Sequence, residues 1–240
     1  MKMLVAVPCD ETRRVETTAT ILGWPDYWYR EVSFVEWHEG GISPTQKMNH
    51  AYRNAKTYDI IAFIHSDVAI YEEGWTARVL RELEDPTVGV VGFGGALGLG
   101  HPDIYKVPYQ LNQLARFDYR SNTVDAEFHG ERERGACDVA TLDGFALIVR
   151  RAILERAGGW PEDKMPFHNY DNWLCLMARR LGYRTRMVGV ECHHFGGGHS
   201  VKGTWQKQCI EEFGMSDAEI HRVSHDYLYS EFREELPLHL

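Results

Sequence analysis

The chain has 240 residues, of which 44% are apolar and 25% charged, an ordinary balance for a folded chain that speaks against both disorder and a membrane-spanning bundle. At this length one core is expected, because chains divide only beyond roughly 250–300 residues. The formal net charge of −9 gives no general attraction for phosphate backbones; the five scattered cysteines contain no Cys-x-x-Cys pair, so a reducing, cytoplasmic setting is expected rather than a disulfide framework.

The apolar run Leu4–Pro8 stops too soon for a signal-peptide core and reads as a first buried strand. Thr12–Gly23 fits a helix or loop, and Glu31–Trp37 alternates as a half-buried strand does. Pro44–Ala55 carries Pro near its start and helix formers after it, and Asp59–His65 is a near-continuous β-branched and aromatic run. This alternation predicts an α/β fold, a mainly parallel central sheet with helices on both faces. An amphipathic stretch at Trp75–Glu84 and a buried strand at Val88–Phe93 continue it. From Gly94 to Cys137 periodicity fails, which predicts a functional insert. Order returns in a strand at Val139–Val149, helices at Arg151–Ala157 and Tyr170–Leu181, and a strand at Arg184–Cys192; the tail from Lys202 is polar and partly helical.

In open α/β sheets ligands bind beyond the carboxyl ends of the strands, and four such places carry chemistry here. Asp67 follows the most apolar strand, where a carboxylate suits a hard divalent cation or caps a helix or turn. Cys192-His193-His194 closes the late strand; neighbours on a strand face opposite ways, so one of the two histidines at most joins Asp67. Asp171 opens a helix, where the dipole favours it and where a general base toward an acceptor hydroxyl would also stand. Asp143-Gly144 lies inside an apolar strand, and the glycine points to close approach by a substrate or another backbone.

The stretch Asp59–Asp85, with Ile-His-Ser-Asp-Val and then Gly74-Trp75, resembles the core of family-two glycosyltransferases with the GT-A fold. Gly144–Arg151, Gly158-Gly159-Trp160-Pro161, Tyr170-Asp171 and Arg179–Arg184 resemble it more specifically. In that family the metal motif is usually Asp-x-Asp; His65 stands in its first position and Asp67 in the metal-binding one. Tyr170 departs from the usual carboxylate before the base, whereas Asp171 keeps the base position. His193-x-x-Gly196 resembles the family's late metal histidine, which favours His193 over His194 or His199. Glu36 and Pro8 match nucleotide-contacting strand ends and Asn49 a recurrent Asn before the metal motif, while Gly92–Ala96 and Val124–Gly130 look like uncharacterised bacterial or phage-encoded members.

The resemblance implies a catalytic GT-A domain over residues 1–200, with 94–137 an acceptor-side insert and 201–240 a helical tail on the same domain. It further implies a hexosyltransferase-like enzyme that uses Mn²⁺ or Mg²⁺ and a nucleoside diphosphate sugar, UDP-sugar favoured, with inversion. Asp67 and His193 would hold the metal, Asp171 would be the base, and Asp143, Gly144 and Trp173 would contact sugar or acceptor. The acceptor hydroxyl belongs to a glycan, a lipid-linked sugar, a protein or, against the acidic charge, a modified nucleobase in DNA. Two rivals are a sugar nucleotidyltransferase, which Cys9–Arg14 disfavours by lacking a glycine-rich phosphate loop, and a non-catalytic carbohydrate-binding protein on the same fold.

Overall fold

The computed structural model describes residues 1–29, 32–39, 41–100, 119–124, 130–195 and 204–240. The first apolar run forms β1 (Met3–Pro8), followed by a 3₁₀ turn, α1 (Arg14–Leu22) and β2 (Val32–Trp37). Helix α2 (Pro44–Asn54) starts in a capping box: the Ser43 hydroxyl accepts from Gln46 N while the Gln46 side chain accepts from Ser43 N. β3 (Ile60–Ile64) is buried along its whole length, and the short β4 (Val68–Ile70) turns away from it. α3 (Trp75–Glu82) and β5 (Val88–Gly92) complete the first half.

The Gly94–Cys137 segment departs from the expected absence of order. It contains β6 (Gly94–Ala96), β7 (Gly98–Leu99), β8 (Tyr119–Ser121), β9 (Glu131–Arg132) and the start of β10 (Ala136–Asp138), while residues 101–118 and 125–129 lie outside the described residues. Glycines hide β6 and β7, because they carry no side chain to alternate. Gly94 and Gly95 are buried, and a Cβ on Gly95 would meet Thr141 O at 2.5 Å.

The strand expected over Val139–Val149 is two strands, β11 (Thr141–Leu142) and β12 (Ala146–Arg150). Asp143 makes the break: its carbonyl accepts from Ala146 N and its carboxylate from Phe145 N. After α4 (Arg151–Ala157) and α5 (Tyr170–Arg180), the late strand also splits, into β13 (Arg184–Val188) and β14 (Cys192–His194). Gly189 lies in the gap, where a Cβ would sit 1.8 Å from Glu133 O. The chain ends with α6 (Thr204–Phe213), α7 (Asp217–Glu231) and β15 (Leu238–His239).

The main sheet has the order β10-β13-β5-β12-β3-β1-β2. β1, β2 and β3 run parallel, as do β5 and β13; β12 opposes both of its neighbours and β10 opposes β13. On one face Val5, Ile60, Ala62, Ile64 and Val91 pack with Ile21 of α1 and Val79 of α3. On the other, Leu4, Ile61, Phe63, Val90 and Leu147 pack with Met48 of α2, Leu154 of α4, Leu174 of α5 and Leu228 of α7. Both faces of the central strands are therefore covered, which is why they read as unbroken apolar runs. β11, β6, β8 and β9 form a second sheet, and β14 with β4 a third.

Candidate active site

Because β3 is wholly buried, His65-Ser66-Asp67 emerge together at its carboxyl end. β14 pairs with β4 so that His194 lies opposite Val68, and Phe195 N donates to Asp67 O at 3.0 Å. The result is His194 Nε2 at 3.5 Å from Asp67 Oδ1. One ligand atom from each of His65, Asp67 and His194 lies within 4.8 Å of the others. A carboxylate and two imidazoles suit a hexacoordinate divalent ion that keeps positions open for further ligands.

The electrostatics match that use. Burial raises the Asp67 carboxyl, but the hydrogen bond and charge of His194 and the charge of His65 outweigh it and bring the pKa to about 2. Burial, reinforced by the charge of His194, pushes His65 down to about 4, so its ring is neutral at pH 7 with a lone pair to offer.

The expectation that His193 would join Asp67 is corrected by the strand register. Alternation turns His193 outward, where it stacks on Phe195 with ring centroids 4.0 Å apart, and His194 inward, stacked on Phe145 at 4.9 Å. The signal was present: Val190 and Cys192, which share the parity of His194, are fully buried, while Glu191 is exposed.

Tyr170, a departure from the family's usual carboxylate, stands at the start of α5. Its hydroxyl lies 2.7 Å from His65 Nε2. It also explains Gly144, where a Cβ would meet the Tyr170 oxygen at 2.5 Å, so the close approach is made by this side chain. Beside it Asp171, 7% exposed, accepts from Gly144 N at 3.0 Å and from Asn172 N at 2.8 Å. Asp143 accepts from the Tyr119 hydroxyl at 3.2 Å.

Three of the expected contact residues have partners or packing within the protein. Asn49 donates to Trp160 O and Glu162 and accepts from Trp160 N, tying α2 to the turn after α4. Trp173 is 3% exposed and packs within the core. Glu36 accepts from Arg14 Nε at 2.8 Å and from the Thr18 hydroxyl; burial raises its pKa, and these two bonds bring it net below the ordinary carboxylate value. Glu36 borders a cavity of about 230 Å³ with Thr18, Tyr27 and Phe34, and Pro8 borders one of about 80 Å³ with Asp10, Lys47 and Ser66.

This arrangement, a mixed sheet carrying a carboxylate and imidazoles past its central strand, has the GT-A glycosyltransferase fold. A variant of Drosophila β1,4-galactosyltransferase 7, solved with manganese, UDP-Gal and xylobiose, is 16% identical and aligns over 84% of this chain and 73% of its own, with a TM-score of 0.50. GalNAc-T7, solved with UDP, GalNAc and Mn²⁺, is 9% identical and aligns over 81% of this chain and 44% of its own, with a TM-score of 0.52. At such identities the likeness is one of fold. Residues 22–222 match the glycosyltransferase-like family, and the chain belongs to that family. It is also 29% identical over 144 residues to the protein called ATP synthase subunits region ORF 6 of Fuscovulum blasticum, covering 57% of this chain and 51% of that protein. The chain thus spans about half the length of this curated relative. Among the described residues no helix is long and apolar enough to cross a membrane.

Proposed function

We propose that the protein transfers a sugar from a nucleoside diphosphate sugar, UDP-sugar favoured, to an acceptor hydroxyl, with inversion and with a divalent cation, Mn²⁺ or Mg²⁺. The observation that carries this is the convergence of His65, Asp67 and His194 past the central strand. The presence of UDP with manganese in the solved structures of similar fold supports it, and xylobiose in one of them favours a glycan acceptor.

Asp67, His194 and His65 would hold the ion, which when bound neutralises charge developing on a departing diphosphate. Pro8 and the turn at Ser66 border a hollow at the strand ends, with Glu36 beside a second one, and both fit the nucleoside side of the cleft. Asp171 would take the acceptor's proton. Its two backbone donors fix its orientation, which suits a base. The same bonds also fit a second reading, in which Asp171 only latches α5 to the Gly144 turn. We assign the acceptor side to residues 94–137, the catalytic unit to residues 1–200 and the tail of the same domain to residues 201–240, of which Leu228 and Phe232 join the main core; the free cysteines favour a reducing, cytoplasmic setting.

The test is hydrolysis and transfer with a panel of nucleotide sugars, with Mn²⁺, with Mg²⁺ and with chelator. Turnover of at least one donor that chelation abolishes is expected; metal-independent turnover, or none with any donor, would overturn the proposal.

A further inference from the structure

Two of the places where the sequence departs from the residues usual in the family it resembles are His65, in the position of the first carboxylate of the metal motif, and Tyr170, in the position before the base. They are 105 residues apart in the chain and meet in space, with Tyr170 Oη 2.7 Å from His65 Nε2. We infer that they form one device: Tyr170 is a positioning residue that holds His65 as a third metal ligand and thereby tunes the centre toward manganese-class ions and away from Mg²⁺. This rests on the metal-dependent reading proposed above.

Chemistry sets the direction. A metal-bound imidazole is normally oriented by a hydrogen bond from its other ring nitrogen. With Nε2 engaged by Tyr170, Nδ1 is the nitrogen left for an ion; holding one there requires the tautomer that donates the Nε2 proton to the Tyr170 oxygen. The surroundings fix both rings. The Gly144 site admits no Cβ beneath the Tyr170 hydroxyl, and His65 is held from the other side by the His194 ring, with centroids 5.5 Å apart. A donor set of two imidazoles and one carboxylate suits Mn²⁺, Co²⁺ or Zn²⁺, whereas Mg²⁺ prefers oxygen and holds its waters. Histidine in the first position therefore adds a nitrogen donor beside the Asp67 carboxylate. Tyrosine in the second position supplies the neutral partner that such a histidine needs.

The experiment measures metal binding, without reference to turnover. Mn²⁺ affinity is read by electron paramagnetic resonance, with and without UDP, Mg²⁺ affinity by competition, and geometry by the visible spectrum of the Co²⁺ form. The proteins are wild type, Tyr170→Phe, His65→Ala, the double variant, His65→Asp and His194→Ala, each checked for an unchanged melting temperature. Tyr170→Phe keeps the ring and loses the hydroxyl; it is expected to weaken Mn²⁺ by about tenfold or more and to alter the Co²⁺ spectrum, as outer partners of metal ligands do. The double variant should lose little beyond His65→Ala, because the hydroxyl acts through that ring. His65→Asp should move the preference toward Mg²⁺. If His194→Ala weakens Mn²⁺ while Tyr170→Phe and His65→Ala leave affinity and spectrum unchanged, the device is wrong and the metal centre stands. If His194→Ala is also neutral, the metal-dependent reading falls with it. Additive losses from Tyr170→Phe and His65→Ala would overturn the coupling.

Discussion

Asp67 and Asp171 both stand at element ends, yet their surroundings give them different ways to fail. Asp67→Ala removes the charged oxygen facing His194, so metal-dependent nucleotide binding and transfer should fall together in titration calorimetry and rate assays. Asp171→Asn keeps an oxygen for one of its amide donors but cannot take a proton. It should leave nucleotide affinity nearly intact and lower kcat by roughly 10²–10⁴. Near-normal kcat on the true acceptor would leave Asp171 as a latch between α5 and Gly144. The adjacent histidines give a sharper contrast. His194→Ala should weaken Mn²⁺ binding about tenfold or more, whereas His193→Ala should leave it close to wild type, because strand alternation carries its ring to the opposite face.

At the scale of elements, helix α3 has no capping side chain of its own, since Gly74 precedes it in the left-handed region at φ 77°. The cap comes from 48 residues away. Asp26, 8% exposed, accepts from Gly74 N at 2.8 Å, Thr76 N at 2.9 Å and the Thr76 hydroxyl at 2.6 Å. Asp26→Ala would strand these donors and should destabilise the fold by about 2–3 kcal/mol in urea unfolding, a cost typical of buried donors left without a partner. A loss below about 0.5 kcal/mol would mean that water reaches the helix start. Ser43→Ala in the capping box of α2 should cost less, about 1 kcal/mol.

His65 and Asp67 meet His194 from a distant part of the chain, so the whole molecule's response to ligands is a property of the complete fold. UDP should raise the melting temperature in the presence of Mn²⁺ and much less with chelator, because the diphosphate would otherwise meet the Asp67 charge unscreened. A ligand at a hundredfold excess over its Kd adds about 2.7 kcal/mol to the folded state. Equal shifts in both conditions would count against a metal-bridged nucleotide. Tyr119, which reaches Asp143 from the second sheet, tests the acceptor side: Tyr119→Phe should reduce transfer while leaving UDP binding unchanged in calorimetry. Equal losses in both would move that sheet to the donor side.

The apolar runs of β1, β3, β5 and β12 and the alternating β2 were legible because burial on both faces, or on one, writes itself directly into residue type. The positions of His65-Ser66-Asp67 past a strand and of Asp171 at a helix start were legible for the same reason. Strands β6 and β7 were not, since glycines leave no alternation to read, and neither were the breaks at Asp143 and Gly189, which depend on a turn bond and on the backbone of Glu133. Local sequence also could not pair residues distant along the chain. Contact between His65 and Tyr170, and between Asp26 and the start of α3, exists only once the sheet has brought their elements together. The chain by itself therefore determined the layers and the residue types at their ends, while tertiary packing decided which side chains face one another, because hydrogen bonds and metal geometry are set by distances across elements rather than along them.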